Sequence, residues 1–145
     1  MTITQLSVFV ENSPGALARI TSVLAENNID IRAMSLAETQ NFGVLRLIVD
    51  NPTRAGEALE KNNIVFHFTN VVAAAIPDEP GGLSRVLSVL SDAGINITYM
   101  YAFIAVSGHY ATVVLRISSA QRKHAAEVLD AAGVRIFSQE DICRL

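Results

Sequence analysis

The chain has 145 residues, half of them hydrophobic, and carries a formal net charge of −3. The charge is spread evenly, with five basic against seven acidic residues over 1–69 and six against seven over 70–145. This leaves no basic stripe for a nucleic-acid backbone. No tract of ~18 apolar residues exists to span a membrane, the segment Met1–Gln5 lacks the features of a signal peptide, and the single Cys143 cannot form an internal disulfide. A cytoplasmic protein is expected.

Taken in chain order, Leu6–Val10 reads as a strand that ends at Glu11-Asn12-Ser13-Pro14-Gly15. Ser13 suits an N-cap and Pro14 the first helical position. The next segment places Leu17, Ile20, Val23 and Leu24 on one helical stripe. Asn27-Asn28 closes it, with Asn28 able to adopt a left-handed conformation. Residues 29–37 and 43–50 read as strands joined around Gln40-Asn41. Asn51-Pro52 starts a second helix with Ala55, Ala58 and Leu59 inward, and Ile64–Phe68 is a last strand. The same order then recurs. Strand Val71–Ile76 leads through Pro77-Asp78-Glu79-Pro80-Gly81-Gly82 into a helix burying Leu83, Val86, Leu87 and Leu90, which stops at Gly94. Strands follow from Ile95 to Val106 and from Tyr110 to Ile117, with a hairpin at Ser107-Gly108-His109. A helix over 120–132 stops at Gly133, Val134–Phe137 is a strand, and Gln139–Leu145 is a tail.

The recurrence is a sequence repeat. Pro14-Gly15-Ala16-Leu17-Ala18-Arg19 matches Pro80-Gly81-Gly82-Leu83-Ser84-Arg85 at a spacing of 66 residues. Ser22-Val23-Leu24 then falls on Ser88-Val89-Leu90, Ile29-Asp30-Ile31 on Ile95-Asn96-Ile97, and Met34 on Met100. Such a period is too long for a solenoid unit and suits one small αβ domain. Two modules are expected, 1–69 and 70–145. Their order predicts an α+β fold of two ferredoxin-like βαββαβ modules, each with an antiparallel four-stranded sheet and helices on one face. A lone domain below ~70 residues is marginal in burial, so the copies should pack together or dimerise. Val71–Ile76 and Tyr99–Ala105 are apolar on both faces, so the helix-free face needs cover from the other repeat or another subunit.

No catalytic set emerges. His67, His109 and His124 lack metal-ligand spacing, Cys143 has no histidine near it in sequence, and no phosphate loop or dinucleotide fingerprint is present. A non-enzymatic protein without metal or cofactor is expected. What remains is the strand–loop–helix junction, present twice. A helix start offers N–H groups with partial positive charge, and glycine there allows close approach, which together suit a carboxylate. Asn12 or Asp30 in the first copy, and Glu79 or Asn96 in the second, could take an ammonium group. A bland reading accounts for the same residues: Pro and Gly start helices and permit tight packing, and Met34 and Met100 are core.

At these junctions the chain resembles the ACT domain family. The resemblance rests on Asn12-Ser13-Pro14-Gly15-Ala16-Leu17 with Asn28-Ile29-Asp30-Ile31, and on Asp78-Glu79-Pro80-Gly81-Gly82-Leu83 with Gly94-Ile95-Asn96-Ile97. It covers nearly the whole chain and looks like stand-alone tandem ACT proteins. The family implies binding of small molecules, usually amino acids, between the loop before the first helix of one unit and a neighbouring strand of another. By position this carries over to Asn12, Ser13, Pro14, Gly15, Ala16 and Leu17, to Asp78, Glu79, Pro80, Gly81, Gly82 and Leu83, and to the strand starts Asp30, Ile31, Asn96 and Ile97. The acidic residue two positions before Pro-Gly in the family is Asn12 in one copy and Asp78 in the other, so the two sites are expected to be unequal. The leading expectation is an amino-acid-binding regulatory protein, a homodimer acting on a metabolic enzyme in trans. The alternatives are a ligand-free subunit that bridges or stabilises a partner enzyme, a small enzyme lacking its acid–base set, and a nucleic-acid binder with sheet aromatics but no positive charge.

Overall fold

The computed structural model describes residues 1–38, 41–106 and 109–144. The expected turn at Gln40, the Ser107-Gly108 tip and the final Leu145 lie outside the described residues. Eleven elements follow in order: β1 (Ile3–Glu11), α1 (Ala16–Glu26), β2 (Ile31–Glu38), β3 (Phe42–Val49), α2 (Pro52–Lys61), β4 (Phe66–Pro77), α3 (Gly82–Asp92), β5 (Tyr99–Val106), β6 (Tyr110–Arg116), α4 (Ser119–Ala131) and α5 (Gln139–Cys143). They form two compact units, one spanning Thr4–Thr69 and the other Asn70–Cys143 together with Met1–Ile3.

The duplicated sequence gives a duplicated register. In the first unit β1 pairs antiparallel with β3, Leu6 opposite Leu47, and β2 pairs with β3, Met34 opposite Leu47. In the second, β4 and β5 pair with β6, setting Val72 and Met100 opposite Leu115. The spacing between copies grows after the hairpins. The left-handed Asn63 that follows α2 corresponds to Gly133 after the longer α4.

The βαββαβ expectation holds, but two separate four-stranded sheets do not form. Among the described residues the strand order is β2-β3-β1-β4-β6-β5, a six-stranded sheet. The expected last strand of the first copy and first strand of the second are one continuous strand, β4. The expected strand Val134–Phe137 is reduced to an isolated bridge between Ala74 and Ile136. It is held by the Ala75 N–H donating to the Arg135 carbonyl at 2.8 Å and the Phe137 N–H to the Ala73 carbonyl at 2.8 Å.

Each unit buries the face its helices cover. Leu6, Val8 and Val10 of β1 pack with Ile20 and Leu24 of α1, Leu45 and Leu47 of β3, and Ala55 and Leu59 of α2. In the second unit Val72, Ala74 and Ile76 pack with Val86, Leu90, Val113, Leu115, Ala125 and Leu129. Alternation puts Val71, Ala73 and Val114 on the opposite face, where they are buried already in the single chain. A second subunit is therefore not required to cover them. Two expected core positions of α3 differ: Leu83 is exposed and Leu87 only half-buried, because the stripe facing the sheet runs through Val86 and Leu90. The expected tail folds as α5 and buries Ile142.

Candidate functional site

Both strand–helix junctions are built by one local device. At Ser13-Pro14-Gly15-Ala16 the Ala16 N–H donates to the Ser13 carbonyl at 3.3 Å, and Gly15 sits at φ 86°, ψ −10°. At Glu79-Pro80-Gly81-Gly82 the Gly82 N–H donates to the Glu79 carbonyl at 3.0 Å, and Gly81 sits at φ 85°, ψ −9°. Proline followed by a left-handed glycine, closed by that bond, is a type II turn. Pro14 is thus a turn corner rather than the first helical residue, and Gly15 rather than Ser13 occupies the N-cap, with no side-chain cap. The glycine is there for its backbone conformation.

Above the first turn lies a pocket of about 480 Å³. Phe9 and Phe42, diagonal neighbours on β1 and β3 with ring centroids 5.9 Å apart, are among its lining residues. Ser13 to Ala16 form its floor, and Asn63 to Val65 close it from the end of α2. Two residues of opposite charge line it, Glu11 at the end of β1 and Arg19 one turn into α1. One Arg19 N–H is held by the Asn62 carbonyl. Among the described residues no carboxylate pairs with Arg19 within 4.0 Å. A smaller adjoining pocket of about 250 Å³ takes Asn12, Ser13 and Leu17 together with Leu36 and Glu38.

The second unit repeats the arrangement with different chemistry, in a pocket of about 550 Å³. Ala75 stands where Phe9 stands, Tyr110 where Phe42 stands, and Arg135 where Val65 stands. Arg85 replaces Arg19, but its guanidinium is paired with Glu79 at 2.5 Å. Of the expected residues only Gly82 lines this pocket. Leu83 borders a groove along α3, and Asp78, Glu79, Pro80 and Gly81 form the adjoining loop.

The strand starts are not brought to their own junctions. Glu11 pairs with Phe42 at one end of β3, whereas Ile31 pairs with Val49 at the other. Seven residues of strand separate these ends, roughly 23 Å at ~3.3 Å per residue. Asp30 is tied to Arg32 at 3.0 Å, and its N–H donates to the Asp50 carboxylate at 3.0 Å. The Asn96 N–H donates to the Gln121 side chain at 3.2 Å, and Ile97 packs against the second core. Within the first unit Asp30 thus stands at the far end of β3 from the junction, and Glu11 is the acid that lines the pocket there. The residues missed from sequence are Phe9, Glu11, Arg19, Phe42 and the Asn63–Val65 segment, with Arg85, Tyr110 and Arg135 in the second copy. Arg19 and Arg85 recur at the repeat spacing, and that recurrence was the available signal.

Among the described residues no three His, Cys, Asp or Glu side chains are grouped to hold a metal ion. No helix among them is long and apolar enough to cross a membrane.

The family profile described as ACT domain pair matches residues 1–145. The crystal structure of protein BT0572 from Bacteroides thetaiotaomicron is 39% identical, superposes with a TM-score of 0.92, and covers 100% of this chain and 98% of its own. The regulatory subunit of aspartate kinase from Thermus thermophilus, in its ligand-free form, is 18% identical with a TM-score of 0.62, covering 89% of this chain and 91% of its own. Its counterpart from Thermus flavus is 16% identical with a TM-score of 0.58, covering 89% and 91%. These last two show likeness of fold. No curated protein sequence matches the chain.

Proposed function

The chain belongs to the ACT domain pair family, and from that premise we propose that it is a non-enzymatic regulatory protein that binds an α-amino acid at its strand–helix junction. The observation that carries this reading is the pocket over the first turn, whose lining includes the oppositely charged Arg19 and Glu11 beside Phe9 and Phe42. An α-amino acid presents the complementary pair of charges and a side chain for the Phe9 and Phe42 rings. Domains 1–69 and 70–145 act as the two regulatory modules. The protein works in the cytoplasm on a metabolic enzyme in trans. The fold shared with regulatory subunits of aspartate kinase supports a regulatory role.

A thermal-shift screen of the twenty amino acids and the common nucleobases tests this. A ligand that binds only the folded state at ~100 times its dissociation constant adds about 2.7 kcal/mol. For a chain of this size that raises Tm by on the order of 5–10 °C. N-acetyl and amide-blocked forms of the same amino acid should give no shift, because each removes one charge. A second reading, a ligand-free subunit that bridges a partner, is favoured by the exposed apolar side chains Met34, Leu36, Val65 and Phe68. It takes precedence if no amino acid moves the melting curve at millimolar concentration.

A further inference from the structure

The two junction pockets differ at the positions that would meet a ligand. Arg19 in the first has no carboxylate partner within 4.0 Å among the described residues, and its guanidinium donates to the Asn62 carbonyl. Its counterpart Arg85 is paired with Glu79 at 2.5 Å. The residue that decides this is the one before the Pro-Gly turn, Ser13 in the first copy and Glu79 in the second. A serine at that position leaves the guanidinium open to an external anion, and a glutamate satisfies it from within the chain. The apolar wall differs in the same sense. Phe9 and Phe42 line the first pocket, whereas Ala75 and Tyr110 line the second, beside the additional cation Arg135.

Resting on the amino-acid-binding reading above, we propose that the chain has one working ligand site, in the first module, selective for an amino acid with a large apolar or aromatic side chain. The Glu79 carboxylate occupies in the second module the place a ligand carboxylate takes in the first. The Arg19 guanidinium receives the ligand carboxylate and Glu11 faces its ammonium. The Phe9 and Phe42 rings receive the side chain, since offset or edge contacts between aromatic groups and burial of apolar surface both favour such a partner. An acidic side chain would meet two phenyl rings and the Glu11 carboxylate, and is rejected. At Arg85 a second carboxylate must displace an exposed ion pair and approach Glu79, which weakens binding by on the order of tenfold.

Isothermal titration of the full chain with L-phenylalanine, L-leucine, glycine and L-glutamate tests this. Phenylalanine or leucine should bind with one ligand per chain and at least roughly tenfold more tightly than glycine or glutamate, as an apolar pocket discriminates by that much or more for each added carbon. Ser13→Glu should weaken that binding by about tenfold or more, while Glu79→Ser should reveal a second ligand per chain. Ser13 and Glu79 are both exposed in turns, and circular dichroism checks that each variant keeps its fold. Arg19→Gln should reproduce the loss seen with Ser13→Glu. Two equal sites in the unmodified chain, a preference for glycine or glutamate, or unchanged binding in Ser13→Glu and Arg19→Gln would overturn the one-site inference while amino-acid binding itself stood. No heat with any of the twenty amino acids would instead overturn the reading on which the inference rests.

Discussion

At Gly15 and Gly81 the backbone turns through φ of 86° and 85°, a region that costs a residue bearing a Cβ roughly 1–2 kcal/mol. Gly82 is constrained differently. A Cβ there would lie 2.2 Å from the Pro77 carbonyl oxygen, whereas one on Gly15 would meet nothing within 4 Å. The two glycines therefore predict different losses. Gly15→Ala should cost about 1–2 kcal/mol, and Gly82→Ala about 3 kcal/mol or more, because main chain must move. Urea unfolding of both variants checks the order, and equal losses would show that the Pro77 contact yields cheaply. Residues of this kind were partly legible in the sequence. Asn28 and Asn63, at φ 55° and 58°, announce themselves by following an apolar helical stripe. Pro14-Gly15 did not, because proline suits both a helix start and a turn corner, and only the left-handed glycine beside it decides for the turn. Arg19 was legible as a repeated residue but not as a site residue. Its pocket is completed by Phe42 and by Asn63–Val65, which tertiary folding brings in from distant parts of the chain.

α5 is the element that periodicity did not reveal. Five residues make little more than one turn, too few to display an apolar stripe. The signal was a capping box: the Asp141 N–H donates to the Ser138 hydroxyl at 3.1 Å, and the Ser138 N–H to the Asp141 carboxylate at 2.9 Å. Ser-x-x-Asp is therefore a helix start written in the sequence. Just before it, Phe137 is fully packed under the Arg135 guanidinium, which stands 4.7 Å from the ring centroid. Ile142 within the helix is 0% exposed. Ser138→Ala should lower stability by about 1 kcal/mol through loss of the cap. Ile142→Ala should lower it by about 2–5 kcal/mol through the transfer and cavity terms together. Chemical denaturation measures both. A loss for Ile142→Ala as small as that for Ser138→Ala would mean that α5 is not anchored through its buried face. The opposite failure occurred at β4, where two expected strands became one. The break inferred between Phe68 and Val71 rested only on Thr69-Asn70, and neither residue forces the chain out of an extended conformation.

Across the whole molecule the duplication was the most legible property, because it needs only residue identity at a fixed spacing and not a choice between local conformations. The homodimer expectation rested on the two-faced apolar strands; the burial of Val71, Ala73 and Val114 in the single chain removes that reason for β4, while Tyr99, Tyr101 and Phe103 of β5 are only half-buried. A second reason joins what β5 leaves of it. Phe9, Met34, Leu36, Phe42, Val65 and Phe68 are all large, apolar and at least 40% exposed, and all belong to the first unit. Large exposed side chains concentrated on one unit mark an interaction surface more often than a solvated one. β2 carries two of them, Met34 and Leu36, on the side that faces the helices, opposite the buried Leu47 and Leu45. We predict a homodimer that uses this strand, sedimenting at micromolar concentration with twice the 15.6 kDa of one chain. Leu36→Glu should shift it to the monomer with little change in Tm, because a side chain 55% exposed contributes little to the fold of its own unit. If the unmodified protein sediments as a monomer, the homodimer is wrong. If it is a dimer that Leu36→Glu leaves intact, self-association uses another part of the exposed apolar surface, and Phe68→Glu is the next variant to sediment.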